Sequence, residues 1–186
     1  KPGDIKYVDV NGDGQITGDD MYRKYSSRIP EIQYGVDLGM EYKGFELSAF
    51  FQGQAKAETP VSWGWGESES FGNAFEFFFT ERWTESNKDA NFPRAIQEKG
   101  DVYNMRTSDF WLESSAFLRL KSVELAYTLP SNWLSGISAN ETRIYLRGTN
   151  LFTLSKIKYF DPEMPNHRGS YYPQLTRVIA GITINL

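Results

Sequence analysis

The sequence predicts an all-β fold, an antiparallel transmembrane β-barrel fragment of about five strands with long loops on one side. Three observations predict it. Apolar residues recur at every second position over segments of roughly ten residues, the period of a strand with one apolar face. The connections alternate between short and long, as in barrels with tight turns on one side and long loops on the other. One connection, 54–114, is of a length that is rare inside a compact soluble domain. On periodicity alone, a soluble β-sandwich with one long insertion stays open as the alternative.

The first element is a loop. Residues 9–20 read Asp-Val-Asn-Gly-Asp-Gly-Gln-Ile-Thr-Gly-Asp-Asp. Asp9, Asn11, Asp13 and Asp20 fall at positions 1, 3, 5 and 12 of a calcium loop, and Gly14 at position 6, where such a loop turns sharply. Gln15 would offer its backbone carbonyl. A hard divalent cation needs about six converging oxygens, which this spacing supplies. The expected ion is calcium, with magnesium tolerated, because position 12 is the shorter Asp rather than Glu. Residues 5–8 read as extended, so this is not a paired EF-hand, and a structural role is expected of the metal. The alternative is a Gly/Asp-rich turn that binds nothing.

The strands follow. Tyr34, Val36, Leu38, Met40 and Tyr42 share one face, and Gly35, Asp37, Gly39 and Glu41 the other. A tight Lys43-Gly44 turn leads to Phe45, Leu47, Ala49 and Phe51 alternating with Glu46, Ser48, Phe50 and Gln52, which makes a hairpin. Over 116–129, Leu118 and Leu120 share a face, then Val123, Leu125, Tyr127 and Leu129 share the opposite one. That switch near Lys121-Ser122 predicts a bulge or a strand covered on both faces. Ile144, Leu146 and Gly148 alternate with Arg143, Tyr145, Arg147 and Thr149 in a strand over 143–154. Val178, Ala180, Ile182, Ile184 and Leu186 mark the last strand. Residues 74–84 are the best candidate for a short helix.

Composition narrows the function. The 186 residues suffice for one domain with a substantial core, and the first residues read as the inside of a longer protein. Net charge is −4 with both signs interspersed, which argues against a nucleic-acid partner. There is no cysteine, hence no disulfide or thiolate metal site. The single histidine, His167, allows no histidine-based triad or zinc site, so Asp161, Glu163 and His167 are read as polar loop residues. Glu67 and Glu69 are read as solvated rather than as a glycosidase pair. No phosphate loop or nucleophile elbow is present. The chain is therefore not expected to be an enzyme. Aromatic residues make up 16%, and Trp63, Trp65, Phe71, Phe75, Phe77, Phe78, Phe79 and Trp83 crowd the long connection. Most are expected to hold that connection together. Trp63 and Trp65, flanked by glycines, are the candidates for substrate contact.

A family resemblance emerges from these residues in order. Gly3-Asp4-Ile5-Lys6-Tyr7 before the loop, Ile29-Pro30-Glu31-Ile32-Gln33-Tyr34-Gly35, Tyr42-Lys43-Gly44-Phe45-Glu46-Leu47-Ser48, Phe50-Phe51-Gln52-Gly53, Arg82-Trp83-Thr84, Phe92-Pro93-Arg94, Leu118-Arg119-Leu120-Lys121-Ser122-Val123-Glu124-Leu125, Arg147-Gly148-Thr149-Asn150-Leu151-Phe152-Thr153, Asp161-Pro162-Glu163 and Tyr172-Pro173 span nearly the whole chain. Together they resemble the C-terminal part of SusC/RagA-like TonB-dependent transporters of the Bacteroidetes outer membrane. The resemblance implies the last strands of a large barrel, residues 34–186, preceded by an extracellular loop, 1–33, with the calcium motif. It implies import of oligosaccharides or peptides, a SusD-like surface lipoprotein as partner, TonB acting through an N-terminal region this chain lacks, and outer-membrane lipid around the wall. With a periplasmic C-terminus, strand parity puts 1–33, 54–114 and 155–175 outside and the short turns 43–44 and 130–142 inside. The family often ends on an aromatic residue, where this chain has Leu186. The soluble alternative is a calcium-stabilised β-sandwich that binds carbohydrate.

Overall fold

A computed structural model describes residues 1–22, 27–61, 76–95, 103–133, 139–164, 172 and 174–185. The chain divides into two compact units. One holds 27–58, 114–164 and 171–186, the other 1–26, 59–113 and 165–170. In chain order the strands are β1 (Ile32–Tyr42), β2 (Phe45–Ala55), β3 (Glu58–Pro60), β4 (Leu112–Ser114), β5 (Phe117–Thr128), β6 (Glu141–Thr149), β7 (Thr153–Ser155) and β8 (Arg177–Asn185). One short helix, α1 (Glu76–Thr80), lies inside the segment where a helix is expected.

The main sheet has the order β1-β2-β5-β6-β8, antiparallel throughout, with β7 also on β5. The five long strands therefore run as a meander. β3 and β4 form a separate two-stranded sheet. Lys43 and Gly44 have φ of 49° and 83°, the left-handed pair that a two-residue hairpin turn needs to match strand twist. Glycine is required at the second position, because an added Cβ would lie 3.0 Å from the Thr128 carbonyl oxygen.

The expected bulge is present. Phe50 opposes Ser122 and Phe51 opposes Leu120, so Lys121 has no partner on β2. The extra residue turns Leu118 and Leu120 onto the same face as Val123 and Leu125, which explains the switch in periodicity. The neighbouring strand answers it. Asn150 adopts φ 51°, its amide donates to the Lys121 carbonyl at 3.0 Å, and β6 gives way to β7. The strand expected over 143–154 is thus two pieces with a left-handed residue between them.

Among the described residues, none covers the apolar face as a second sheet of a sandwich would. Leu38 is 56% exposed, Leu125 49% and Ile182 63%. A second sheet packed about 10 Å away would have buried all three. These exposures favour the barrel wall over the soluble sandwich.

The second unit has its own small core. Phe78 of α1 and Trp111 are buried, with Ile5, Val61, Phe77 and Phe92 around them. Trp111 Nε1–H donates to the Asn104 carbonyl at 2.8 Å, and Asn104 Oδ1 accepts from the Ile5 amide at 2.9 Å. Asn104 Nδ2 and Arg94 Nε both donate to Asp4 Oδ1, at 2.9 and 2.7 Å. Burial raises the Asp4 carboxyl, but the bonds from Arg94 and Asn104 outweigh it and hold it well below the ordinary range. Phe77 and Phe78 act as the internal core expected of the aromatic connection, whereas Phe79 stays exposed.

Candidate functional site

The site is the sheet itself, a wall with two chemically opposite faces. Strand alternation puts every second residue on each face, and the register lines those residues into rows. Met40, Leu47, Leu125, Leu146 and Ala180 form one row across all five long strands. Tyr42, Phe45, Tyr127, Ile144 and Ile182 form the next, where the Phe45 and Tyr127 rings lie 4.4 Å apart. Leu38, Ala49, Val123, Gly148 and Val178 form the row on the other side. At the far end Tyr34 lies over Gly53 and its hydroxyl donates to the Phe117 carbonyl at 3.0 Å. Tyrosines thus bound the apolar band at both ends of β1. No helix among the described residues is long and apolar enough to cross a membrane.

The opposite face is charged. Arg143 Nη2 lies 2.8 Å from Glu46 Oε2 and 2.7 Å from Glu124 Oε1, and Arg147 pairs with the second Glu124 oxygen. The register explains the reach. Glu46 stands opposite Ala126, and Ala126 opposite Tyr145, so Arg143 reaches β2 past a methyl group. Gly39, Glu41, Glu46, Ser48, Glu124 and Arg143 line a shallow groove there. Tyr145 covers Gly181 on β8, where an added Cβ would come within 2.4 Å of the ring. Asp37, Glu41, Glu46 and Glu124 share this face.

Beyond the bulge the wet face carries a buried ion cluster that sequence reasoning missed. The Arg119 side chain is 3% exposed. Its Nη2 donates to Asp161 Oδ1 at 2.7 Å, its Nη1 to Glu163, and its Nε to Thr153 Oγ1 at 2.7 Å. Lys121, freed by the bulge, donates to Glu163 at 2.9 Å. Asp161 also accepts from the Glu163 amide at 2.9 Å and from the Gln174 amide at 3.3 Å. One carboxylate therefore ties both limbs of the 156–176 connection to the sheet. Burial raises the Asp161 carboxyl, but Arg119 and the two amides outweigh it and lower it overall. Asp161 and Glu163 serve as anchors in this cluster. His167, Glu67, Glu69, Trp63, Trp65, Phe71 and Phe75 lie outside the described residues. The only sequence hint of the cluster is the position of Arg119 on a strand otherwise rich in apolar residues.

The loop over 9–20 is built from its own oxygens. Asp9 Oδ1 accepts from the Gly12 amide at 2.6 Å and Oδ2 from the Gly14 amide at 2.8 Å. Asn11 Oδ1 accepts from the Asp13 amide at 2.9 Å, and Asp13 Oδ1 from the Gln15 amide at 2.7 Å. Gly12 and Gly14 have φ of 78° and 80°, which L side chains rarely adopt. Asp20 closes the loop. It is buried, and its carboxylate accepts from the Val10 amide at 2.8 Å and the Thr17 amide at 2.7 Å, clasping the loop's two ends. Those backbone bonds lower its carboxyl. Arg106 Nη1 donates to the Ile16 carbonyl at 2.8 Å. The all-oxygen donor set suits a hard cation, and each bonded carboxylate oxygen keeps a second lone pair. Among the described residues, no three acidic or histidine side chains converge closely enough to form a metal cluster.

Comparison with known proteins agrees with the wall. No protein-family profile matches the chain. The chain is 32% identical to the TonB-dependent receptor P26 of Formosa agariphila over 88% of its own length and 16% of the relative's. It is 24% identical to the TonB-dependent receptor SusC of Bacteroides thetaiotaomicron, over 99% of its own length and 18% of that protein. Among solved structures it superimposes on the RagAB peptide importer in the open-open state with a TM-score of 0.69 at 28% identity, covering 92% of this chain and 19% of that one. The closed-closed state of the same importer gives 0.67 at 30% identity. The chain thus spans less than one fifth of the relatives it matches. The alternating faces, the five-stranded meander and these likenesses place the chain in the SusC/RagA-like family of TonB-dependent outer-membrane transporters, as a segment of the barrel wall.

Proposed function

We propose that this chain is part of the wall of an importer of oligosaccharides or peptides, energised through TonB and working with a SusD-like surface lipoprotein. The observation that carries the reading is the unbroken apolar face crossing five strands, opposite a face of paired charges. Such a division suits a strand wall with lipid on one side and a wet lumen on the other. The RagAB peptide importer among the similar structures supports the transport role and the peptide class, and the TonB-dependent receptors P26 and SusC support the coupling to TonB. Among the described residues β1 and β8 each pair on one side only, and an open sheet edge cannot stand in hydrocarbon, so further strands of a longer protein would close the wall. In this reading the chain contributes no catalysis. The test is uptake by cells carrying the full-length gene. Deleting 32–185 should abolish import and outer-membrane assembly. Import that persists without this segment would refute the role.

We further propose that the loop over 9–20 binds calcium on the extracellular side, with Asp9, Asn11, Asp13, the Gln15 carbonyl and Asp20 as ligands. Its support is the donor spacing and the two left-handed glycines. Calorimetry on the full-length protein should give a calcium heat that Asp9→Ala and Asp13→Ala each abolish. Unchanged heats in both variants would dismiss the site.

A further inference from the structure

We propose that Asn11 is a spontaneous deamidation site which the native loop restrains, with Asp9 as its guard. Asn11-Gly12 is the single Asn-Gly pair in the chain, and both residues are exposed. A glycine after asparagine puts no Cβ in the way of the Gly12 nitrogen. That nitrogen, once it loses its proton, attacks Asn11 Cγ. The new C–N bond closes a succinimide, the bond to Nδ2 breaks, and ammonia leaves with the proton. Water then opens the ring at either carbonyl, leaving aspartate or isoaspartate at position 11.

Two contacts oppose the first step. The Gly12 N–H donates to Asp9 Oδ1 at 2.6 Å, and an ionised acceptor at that range disfavours loss of the proton. The Asn11 carboxamide is held at both ends by Asp13, Oδ1 accepting from the Asp13 amide at 2.9 Å and Nδ2 donating to Asp13 Oδ2 at 3.1 Å. The backbone donor fixes which end of the carboxamide is oxygen. These two bonds restrain the rotation of the carboxamide that attack on Cγ requires. Deamidation converts the neutral Asn11 side chain into a carboxylate. In the isoaspartate product it also adds a backbone carbon between Asp9 and Asp13. The inference does not depend on a cation.

The experiment follows the tryptic peptide 7–23 of the full-length protein by mass spectrometry during warm, mildly alkaline incubation. It compares native protein, protein unfolded in urea, and native Asp9→Ala, Asp9→Asn and Asp19→Ala variants. Native protein should deamidate at least about tenfold more slowly than unfolded protein, the effect expected of one charge-assisted bond. Asp9→Ala should approach the unfolded rate, Asp9→Asn should fall between, and Asp19→Ala should match native. Equal rates in native and unfolded protein would overturn the proposal. So would Asp9→Ala at the native rate, or Asp19→Ala as fast as Asp9→Ala.

Discussion

Leu38→Arg is the sharpest test of which face meets lipid. Leu38 sits midway along β1, four residues from each of Tyr34 and Tyr42. At a rise of about 3.4 Å per residue that is about 14 Å along the strand to either tyrosine. With a strand tilt of about 40°, it is about 10 Å along the bilayer normal, so the band between the tyrosines approaches the ~25 Å of an outer-membrane barrel. An arginine there is near the bilayer centre and should cost about 2–4 kcal/mol. On a water-facing surface the same change at a half-exposed leucine would stay within about 0.5 kcal/mol. The two environments therefore predict separable results. The assay is thermal unfolding of the full-length protein in lipid bilayers, read as the shift in gel migration that follows loss of the barrel. Asp37→Arg, one residue away on the wet face, is the control and should change little. A Leu38→Arg protein as stable as its parent, or an Asp37→Arg protein damaged more, would refute the assignment of faces.

Other outcomes follow from the same geometry. Arg119→Ala leaves the half-buried Asp161 and Glu163 with Lys121 as the remaining cation of the cluster, and should cost up to about 3–5 kcal/mol, measured by protease susceptibility of the 156–176 connection. Replacing both carboxylates by amides in that background should restore most of the loss. Because the folded Asp161 carboxyl is lowered, its contribution is present above the unfolded value of about 4 and fades as pH falls through the lower folded value. Asp161→Asn should flatten that part of the acid profile. Gly53→Ala puts a Cβ 2.4 Å from the Phe117 carbonyl oxygen, which cannot swing away, and should destabilise by about 1–3 kcal/mol. Gly39→Ala, with nothing within 4 Å, should be silent in the same melting assay.

Much of the wall was written in the order of residues alone. Alternation from Tyr34 to Phe51 implied a hairpin, and the left-handed turn at Lys43-Gly44 closes it. The change of phase at Lys121-Ser122 implied the bulge, because a strand's two-residue period shows a slipped residue directly. The Asp-Asn-Asp spacing over 9–13 was equally plain, since a loop that closes on its own amides uses neighbours in sequence. Three other features were decided only by folding. Arg119 meets Asp161 and Glu163 across more than forty residues of chain. Arg143 joins Glu46 over the methyl of Ala126, and Tyr145 lies over Gly181. Asp20 clasps the loop's two ends through the Val10 and Thr17 amides, a role that its place at position 12 does not announce. Local period and turn chemistry act within a few residues, so the order of residues reveals them. Partnerships between strands depend on register and on which side chains are small enough to be crossed, and only the assembled sheet determines those.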